Sequence, residues 1–267
     1  MRKRIPQAPR SRRRRKMAKL RINRFLADCG LGSRRKVEQL VAEGRVRVNG
    51  QVTTDLSRLI DGESDEVRLD GRPLAAETRL FYLMLNKPKG YITTAEDIQN
   101  RAIVLDLIPG HFREKGVMPV GRLDRDTEGL LLLTNDGDLA FRLTHPRFEI
   151  PKEYIIDLDR PLSDRDHARL EKGVRLKEYK TNPARVSPVS ESGDTIKMII
   201  TEGKKRQIRV SLATLGYRVK RLRRVAFGPV RLTGVNARSY RALRPAEVKA
   251  LKKSVGLQPG AANFSLK

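Results

Sequence analysis

The hydrophobic positions of this 267-residue chain change period several times. Ile22, Phe25, Leu26 and Cys29 recur at i, i+3, i+4 and i+7, one face of a helix. Gly30 and Gly32 stop that helix. Ser33 is a good N-cap for a second one with apolar positions Val37, Leu40 and Val41, and Gly44 ends it. The segment RVRVNGQV, residues 45–52, then alternates strictly, and its Asn49-Gly50 pair is a type I′ hairpin signal. Two helices and a hairpin make a module of about 60 residues, small enough that its core is marginal.

A larger core follows over residues 79–255. FYLMLNKPKGYI, residues 81–92, reads as a strand entering a Lys-Pro-Lys-Gly turn. Residues 130–134, beginning with four consecutive leucines, read as a strand closed by an Asn135-Asp136-Gly137 turn. A short helix is expected at 138–144, a strand at 152–158, and a helix capped by Ser163. Strands at 195–201 and 218–226 enclose a helix near 205–216. Strands and helices do not alternate regularly, so the fold class is α+β with a mixed or antiparallel sheet rather than a doubly wound one. Residues 256–267 carry no periodic pattern and are expected to be a loose tail.

Charge changes the picture most. Lysine and arginine total 57 against 31 acids, a net charge of +26. Residues 1–19 hold ten of those cations and no acid. A like-charge block such as residues 1–17 is expected to be a disordered basic tail that binds phosphates. It has no apolar segment and so is no secretory signal, and its prolines argue against a transit peptide. Removing those ten charges still leaves +16 on the rest, so the folded part must itself meet a polyanion, most simply nucleic acid. No apolar run approaches the ~20 residues of a spanning helix, which excludes a membrane-spanning role. Cys29 is the single cysteine and reads as a small core residue; a disulfide framework is excluded, which fits a reducing, cytoplasmic setting. His111, His145 and His167 are scattered, so no metal site is expected.

Three stretches carry candidate chemistry. In VGRLDRDTEGLLLLTNDGDL, residues 120–139, Asp124 lies between Arg122 and Arg125 on a loop feeding the leucine strand. A core strand holds such a loop still, the flanking cations stabilise the carboxylate's charge, and Gly121 and Gly129 leave room for a ligand. Tyr154, in IPKEYIID, shares a strand face with Lys152 and Ile156; it is either a core tyrosine or a ring that stacks on a base. In EGKKRQIRV, residues 202–210, Lys204, Lys205, Arg206 and Arg209 crowd a helix start, suiting a phosphate patch or an arginine paired with Asp124. The next run, YRVKRLRRVAFG, is basic on both faces if extended, as a strand reaching an RNA groove would be. In the first module, Arg34, Arg35 and Lys36 open the second helix and Arg45 and Arg47 flank the hairpin; three cations at a helix start oppose its dipole unless an anion sits there. Walker, G-x-S-x-G, H-E-x-x-H and G-x-G-x-x-G motifs are absent from the sequence.

Residues 18–78, through GSRRKVEQLVAEGRVRVNG, resemble the αL RNA-binding module shared with a ribosomal protein of the small subunit and with tyrosyl-tRNA synthetases. NKPKGYITT at 86–94, VGRLDRDTEGLLLLTNDGDLAFRLTHP at 120–146, KEYIID at 152–157 and EGKKRQIRV at 202–210 resemble the pseudouridine synthases, specifically the RsuA-like branch that includes the B, E and F enzymes of large ribosomal RNA. That resemblance implies a catalytic domain at 79–255 that isomerises a uridine of ribosomal RNA, most simply large-subunit RNA, as a monomer without cofactor or metal. It implies that Asp124 is the essential aspartate, Tyr154 the active-site tyrosine and Arg209 the basic residue pairing with the aspartate. Arg122, Arg206 and Lys204 are then candidates for gripping the substrate. After the Q-I-R segment the branch continues with Arg-Met, whereas this chain reads Val210-Ser211-Leu212, a departure that bears on which uridine is the target. The other reading kept is a non-catalytic RNA-binding or ribosome-assembly factor. An inert site would have lost some of Asp124, Tyr154 or Arg209, and all three are present.

Overall fold

The computed structural model describes residues 19–258 except 33, 63, 76–78, 96 and 98, together with the backbone but not the side chains of Asp28, Arg34 and Arg35. The basic tail at 1–17, the Ser33 cap and residues 259–267 lie outside the described residues. The chain forms two compact units that divide at 76/77.

In the first unit, helices Ile22–Asp28 and Arg34–Ala42 bury Ile22, Phe25, Leu26, Val37 and Val41. Strand Val46–Val48 turns through Asn49 (φ 52°) and Gly50 (φ 81°) into Gln51–Val52, both left-handed as a type I′ turn requires. Val46 and Val48 face the core and Arg47 faces out, the expected alternation. Strand Val67–Leu69 pairs on the other side of Val46–Val48 and with Arg72–Pro73, giving four strands. Cys29 caps the first helix and packs on the module's core.

The second unit is built on one mixed sheet. Its strands run Arg185–Pro188, Thr195–Ile200, Lys152–Leu158, Val219–Phe227, Glu128–Thr134, Tyr82–Lys87 and Tyr240–Ala242 in spatial order. Pairing along this path is antiparallel except between Val219–Phe227 and Glu128–Thr134, which are parallel. Both faces are covered. Leu131, Leu133, Leu83 and Leu85 join a core that includes Ile208 and Leu212 of helix Gln207–Thr214. Leu130, Leu132, Tyr82 and Met84 join another with Leu139 and Leu143 of helix Gly137–Thr144 and Val248 and Leu251 of helix Pro245–Ser254. That is why four leucines stand in a row: a strand buried on both sides needs no polar alternation.

Several expectations change. Asp136 is a helix cap rather than a turn residue, its carboxylate accepting from Leu139 N at 3.1 Å. Edge strands Arg185–Pro188 and Tyr240–Ala242 and the final helix Pro245–Ser254 were not anticipated. The start of the expected loose tail is held: Leu257 N donates to Lys252 O at 2.8 Å and its side chain packs on a core. Arg224, expected on a basic face of its strand, is 2% exposed, with Nε donating to Leu130 O at 2.8 Å and the guanidinium 4.9 Å from the Phe227 ring. Lys220 and Arg221 are exposed on opposite faces at the start of the strand, and burial sets in on the Arg224 face from Leu222 onward.

The parallel contact explains Gly129. Its φ is +100°, and a Cβ there would stand 2.2 Å from Arg224 O. We expect Gly129→Ala to cost about 3 kcal/mol or more, combining left-handed strain with a backbone clash. Urea unfolding checks this, and an unchanged midpoint would refute it.

Candidate active site

The segment between the leucine strand and the short strand Met118–Pro119 is pinned at both ends. Met118 and Pro119 pair with Thr134 and Leu133, and Val120 N donates to Leu132 O at 2.8 Å. Every backbone carbonyl from Leu123 to Thr127 is then engaged. Leu123 O accepts from buried Thr93 Oγ1 at 2.8 Å. Asp124 O, Arg125 O and Thr127 O accept from Lys87 Nζ at 3.1, 3.2 and 2.8 Å. Arg125 O also accepts from Gly90 N at 2.9 Å, and Asp126 O from Arg209 Nη2 at 3.0 Å.

Lys87 is fully buried at the end of its strand, and its ammonium also donates to Pro88 O at 3.1 Å. Three protons thus serve four carbonyls. Burial pushes this lysine down to about 8, against the opposing pull of Asp126, Asp124 and Glu128. The sequence reading placed Lys87 in the Lys-Pro-Lys-Gly turn and gave it no role. Its signal was there: a lysine ending the run Tyr82–Lys87, whose other members are apolar except Asn86. Period-based reading takes such a residue as the strand's solvated end.

The loop presents Asp124 to a cleft of about 490 Å³. Arg122, Asp124, Tyr154, Lys204, Arg206 and Arg209 all line it, so the catalytic and substrate-binding candidates of the second unit come together. Lys205 joins them, leaving Asp124 the single acid among five lining cations. Tyr154 is 7% exposed, opposite Arg224 and Met198 on the neighbouring strands. Leu222 and Ile200 flank it in the cleft wall.

The basic rim is organised by a carboxylate the sequence reading passed over. Glu202 Oε1 accepts from Gln207 Nε2 at 2.6 Å and Asn182 N at 2.7 Å, and its other oxygen lies 3.7 Å from Lys204 Nζ. Lys204 Nζ also stands 3.4 Å from the centre of the Tyr179 ring. Arg206 adopts a left-handed conformation (φ 52°) as the cap of helix Gln207–Thr214, strain of a kind that collects at functional sites.

One expectation needs correcting. Arg209 makes no hydrogen bond or ion pair to the Asp124 carboxylate; it donates to Asp126 O and, at 3.3 Å, to Val219 O. Two carbonyls occupy its fork, while Nε is buried without a partner among the described residues. Burial, with Arg206 adding repulsion, lowers its pKa from the usual value, opposed by Asp126 and Asp124. Toward the Asp124 carboxylate it has a through-space attraction and no direct bond. In the first unit, Arg45 forms a fork with Asp70 at 3.0 and 2.6 Å and contacts Glu43 at 3.2 Å, so its charge is already answered. Arg47 Nη1 donates to Gly50 O at 3.0 Å and Lys36 is exposed. Arg34 and Arg35 begin the second helix, with no acid in its first turn.

Residues 81–214 match the family described as RNA pseudouridylate synthase, and residues 20–67 match the S4 domain. An RNA pseudouridine synthase of Aquifex aeolicus is 39% identical over 91% of this chain and 97% of its own. The chain belongs to the RNA pseudouridylate synthase family. Ribosomal large subunit pseudouridine synthase B of Bacillus subtilis is 38% identical over 87% of this chain and 95% of its own. A solved pseudouridylate synthase superposes with a TM-score of 0.64 at 28% identity, covering 87% of this chain and 99% of that one. The protein is accordingly an isomerase with an N-terminal S4 domain, and RNA is its partner. Among the described residues no helix is long and apolar enough to cross a membrane, and no three His, Cys, Asp or Glu residues gather as metal ligands.

The Lys87 tether has a pH signature. A neutral amine keeps only two donors for four carbonyls, so the single-turnover rate of this synthase should fall as pH rises through about 8. Lys152 is also pushed down to about 8, chiefly by burial, so attribution needs variants. Lys87→Met should be slow and lack this limb, while Lys152→Met should keep it. Because Lys87 titrates lower folded than unfolded, unfolding takes up a proton between about 8 and its ordinary 10.5. Its own contribution to stability therefore rises with pH across that window. A Lys87→Met enzyme with the wild-type profile would refute the tether's role.

Proposed function

We propose that this protein isomerises a uridine of ribosomal RNA, most simply large-subunit RNA, with Asp124, Tyr154 and Arg209 as its working residues. The observation that carries the reading is a lone carboxylate, held by its own backbone, sharing a cleft of five cations with a buried tyrosine. Cations suit the phosphates around a target nucleotide, and the ring suits a base taken out of its stack. The ribosomal assignment is supported by the name of the Bacillus relative and by the S4 domain.

In the proposed reaction the C1′–N1 bond breaks, the uracil turns, and a C1′–C5 bond forms. The proton on C5 leaves and N1 gains one, so nothing is oxidised or reduced. Asp124 acts on the ribose C1′ or on C6 of the ring, or stabilises the cleavage electrostatically. Tyr154 stacks on the freed ring and moves a proton. Arg209 holds the Asp126 carbonyl and so keeps the loop, and with it Asp124, in register. Arg122 occupies the vacated stack or grips a phosphate, with Arg206 and Lys204 on neighbouring phosphates. Arg34, Arg35, Lys36 and Arg47 supply the first unit's RNA contacts, with Arg45 demoted by its acidic partners. The enzyme works as a cytoplasmic monomer without cofactor or metal. Residues 1–17 form a basic RNA arm, 18–78 the RNA-binding domain and 79–255 the catalytic one.

Asp124→Asn should bind RNA as wild type does and form no pseudouridine, as read by carbodiimide mapping of a transcript. Turnover above about a thousandth of wild type would overturn Asp124's role. Tyr154→Phe should keep RNA affinity, since stacking needs only the ring, and lose rate on the order of a hundred-fold. A Phe variant at wild-type speed would leave the tyrosine a platform only.

A further inference from the structure

Beside the catalytic loop lies a surface that the proposed chemistry does not use. Helix Gly137–Thr144 ends against Gly121: a Cβ on that glycine would stand 3.3 Å from Thr144 Cγ2. Gly121 directly precedes Arg122, which lines the cleft. From this junction the chain runs through His145 into the tight turn Pro146–Phe148. Phe141, His145 and Phe148 gather there, with ring centres 5.0 Å apart for Phe141 and His145 and 6.4 Å for His145 and Phe148. The Arg147 guanidinium lies over two of them, 4.6 Å from the Phe148 centre and 5.7 Å from that of Phe141. Arg142 lies 5.8 Å from the Phe148 centre.

The parts of this cluster differ in what holds them. Phe148 packs against a core and anchors the group. His145 is exposed, and its Nδ1 accepts from Arg147 N at 3.2 Å, which fixes the ring. Arg142 is answered by Asp138 at 3.2 Å. Arg147 is exposed and meets no carboxylate among the described residues. Phe141 is 49% exposed and belongs to neither core of its unit. An exposed phenylalanine alone means little. An exposed ring stacked with an unanswered cation, on a helix that ends against the residue preceding cleft-lining Arg122, has the two faces an unpaired nucleotide needs: one for its base and one for its phosphate.

We propose that Phe141, His145 and Arg147 form a seat for an unpaired nucleotide of the substrate strand, flanking the nucleotide that enters the cleft. This rests on the RNA reading above and extends it to substrate structure: the target uridine lies next to single-stranded rather than fully paired RNA. Phe141 takes the base, Arg147 the phosphate, and His145 closes the edge.

The test uses the full chain and measures binding, so it does not depend on turnover. The probes are a fluorescein-labelled single-stranded oligouridylate of about 12 nucleotides, within the range one single-strand surface spans, and a blunt duplex of equal length. Phe141→Ala should weaken binding of the single strand about 5- to 100-fold and change duplex binding by less than about twofold. Phe141→Tyr should restore it. Arg147→Ala should lower the salt slope on the single strand by about 0.7, one phosphate contact. A Phe141→Ala protein that binds the single strand as tightly as wild type, or loses both RNAs equally with unchanged circular dichroism, overturns the seat. Wild-type protein that binds neither RNA overturns the RNA reading itself.

Discussion

The ammonium of Lys87 holds the site together. It is buried at the end of a core strand and meets four carbonyls, three of them in the segment Asp124–Thr127. A buried cation without partners would cost several kcal/mol, so the lysine and the loop stabilise each other only in this geometry. The consequence for Asp124 is indirect and strong. Its backbone is fixed by neighbours, while its carboxylate is left without a hydrogen bond of its own among the described residues. The role proposed for Asp124 suits this arrangement, in which everything is held except the atoms that would meet the ligand.

The rest of the second unit serves that arrangement. The leucine strand is buried on both faces, which makes it the least deformable element available to carry the loop. The parallel contact at Gly129 brings the strand of Arg224 close enough for its backbone to touch. Lys152–Leu158, which carries Tyr154, pairs on the far side of that same strand. The loop of Asp124 feeds one strand and Tyr154 lies on another, with a single strand between those two, and both residues line the cleft. Glu202 performs on the basic rim the organising role that Lys87 performs on the loop, with opposite charge.

Much of this was legible in the chain. Periodicity found both helices and the hairpin of the first unit, because each helix has one apolar face and the Asn49-Gly50 turn has a specific chemistry. Strand Lys152–Leu158 emerged with its observed bounds. The six candidates around the cleft were found as motifs rather than patterns, and the fold assembles them. What stayed hidden was polar and buried. Lys87, Thr93 and Glu202 act on backbone atoms far along the chain, and no local spacing announces a partner 37 or 30 residues away. Arg224 was misread for a related reason: alternation marks a basic face but cannot say where along the strand that face becomes covered. The partner of Arg209 was taken from the family resemblance, whereas the acceptors its guanidinium meets here are the carbonyls of Asp126 and Val219.

The proposed role of this protein comes down to one act, the isomerisation of a uridine in ribosomal RNA at the cleft of Asp124. Nucleotide-resolution mapping of pseudouridine across ribosomal RNA tests it most directly. Cells with the natural protein are compared with cells whose only copy carries Asp124→Asn, at equal protein levels. The expected result is that a pseudouridine present in the first RNA is plain uridine in the second, with every other modified position unchanged. Identical maps from the two cells would contradict it.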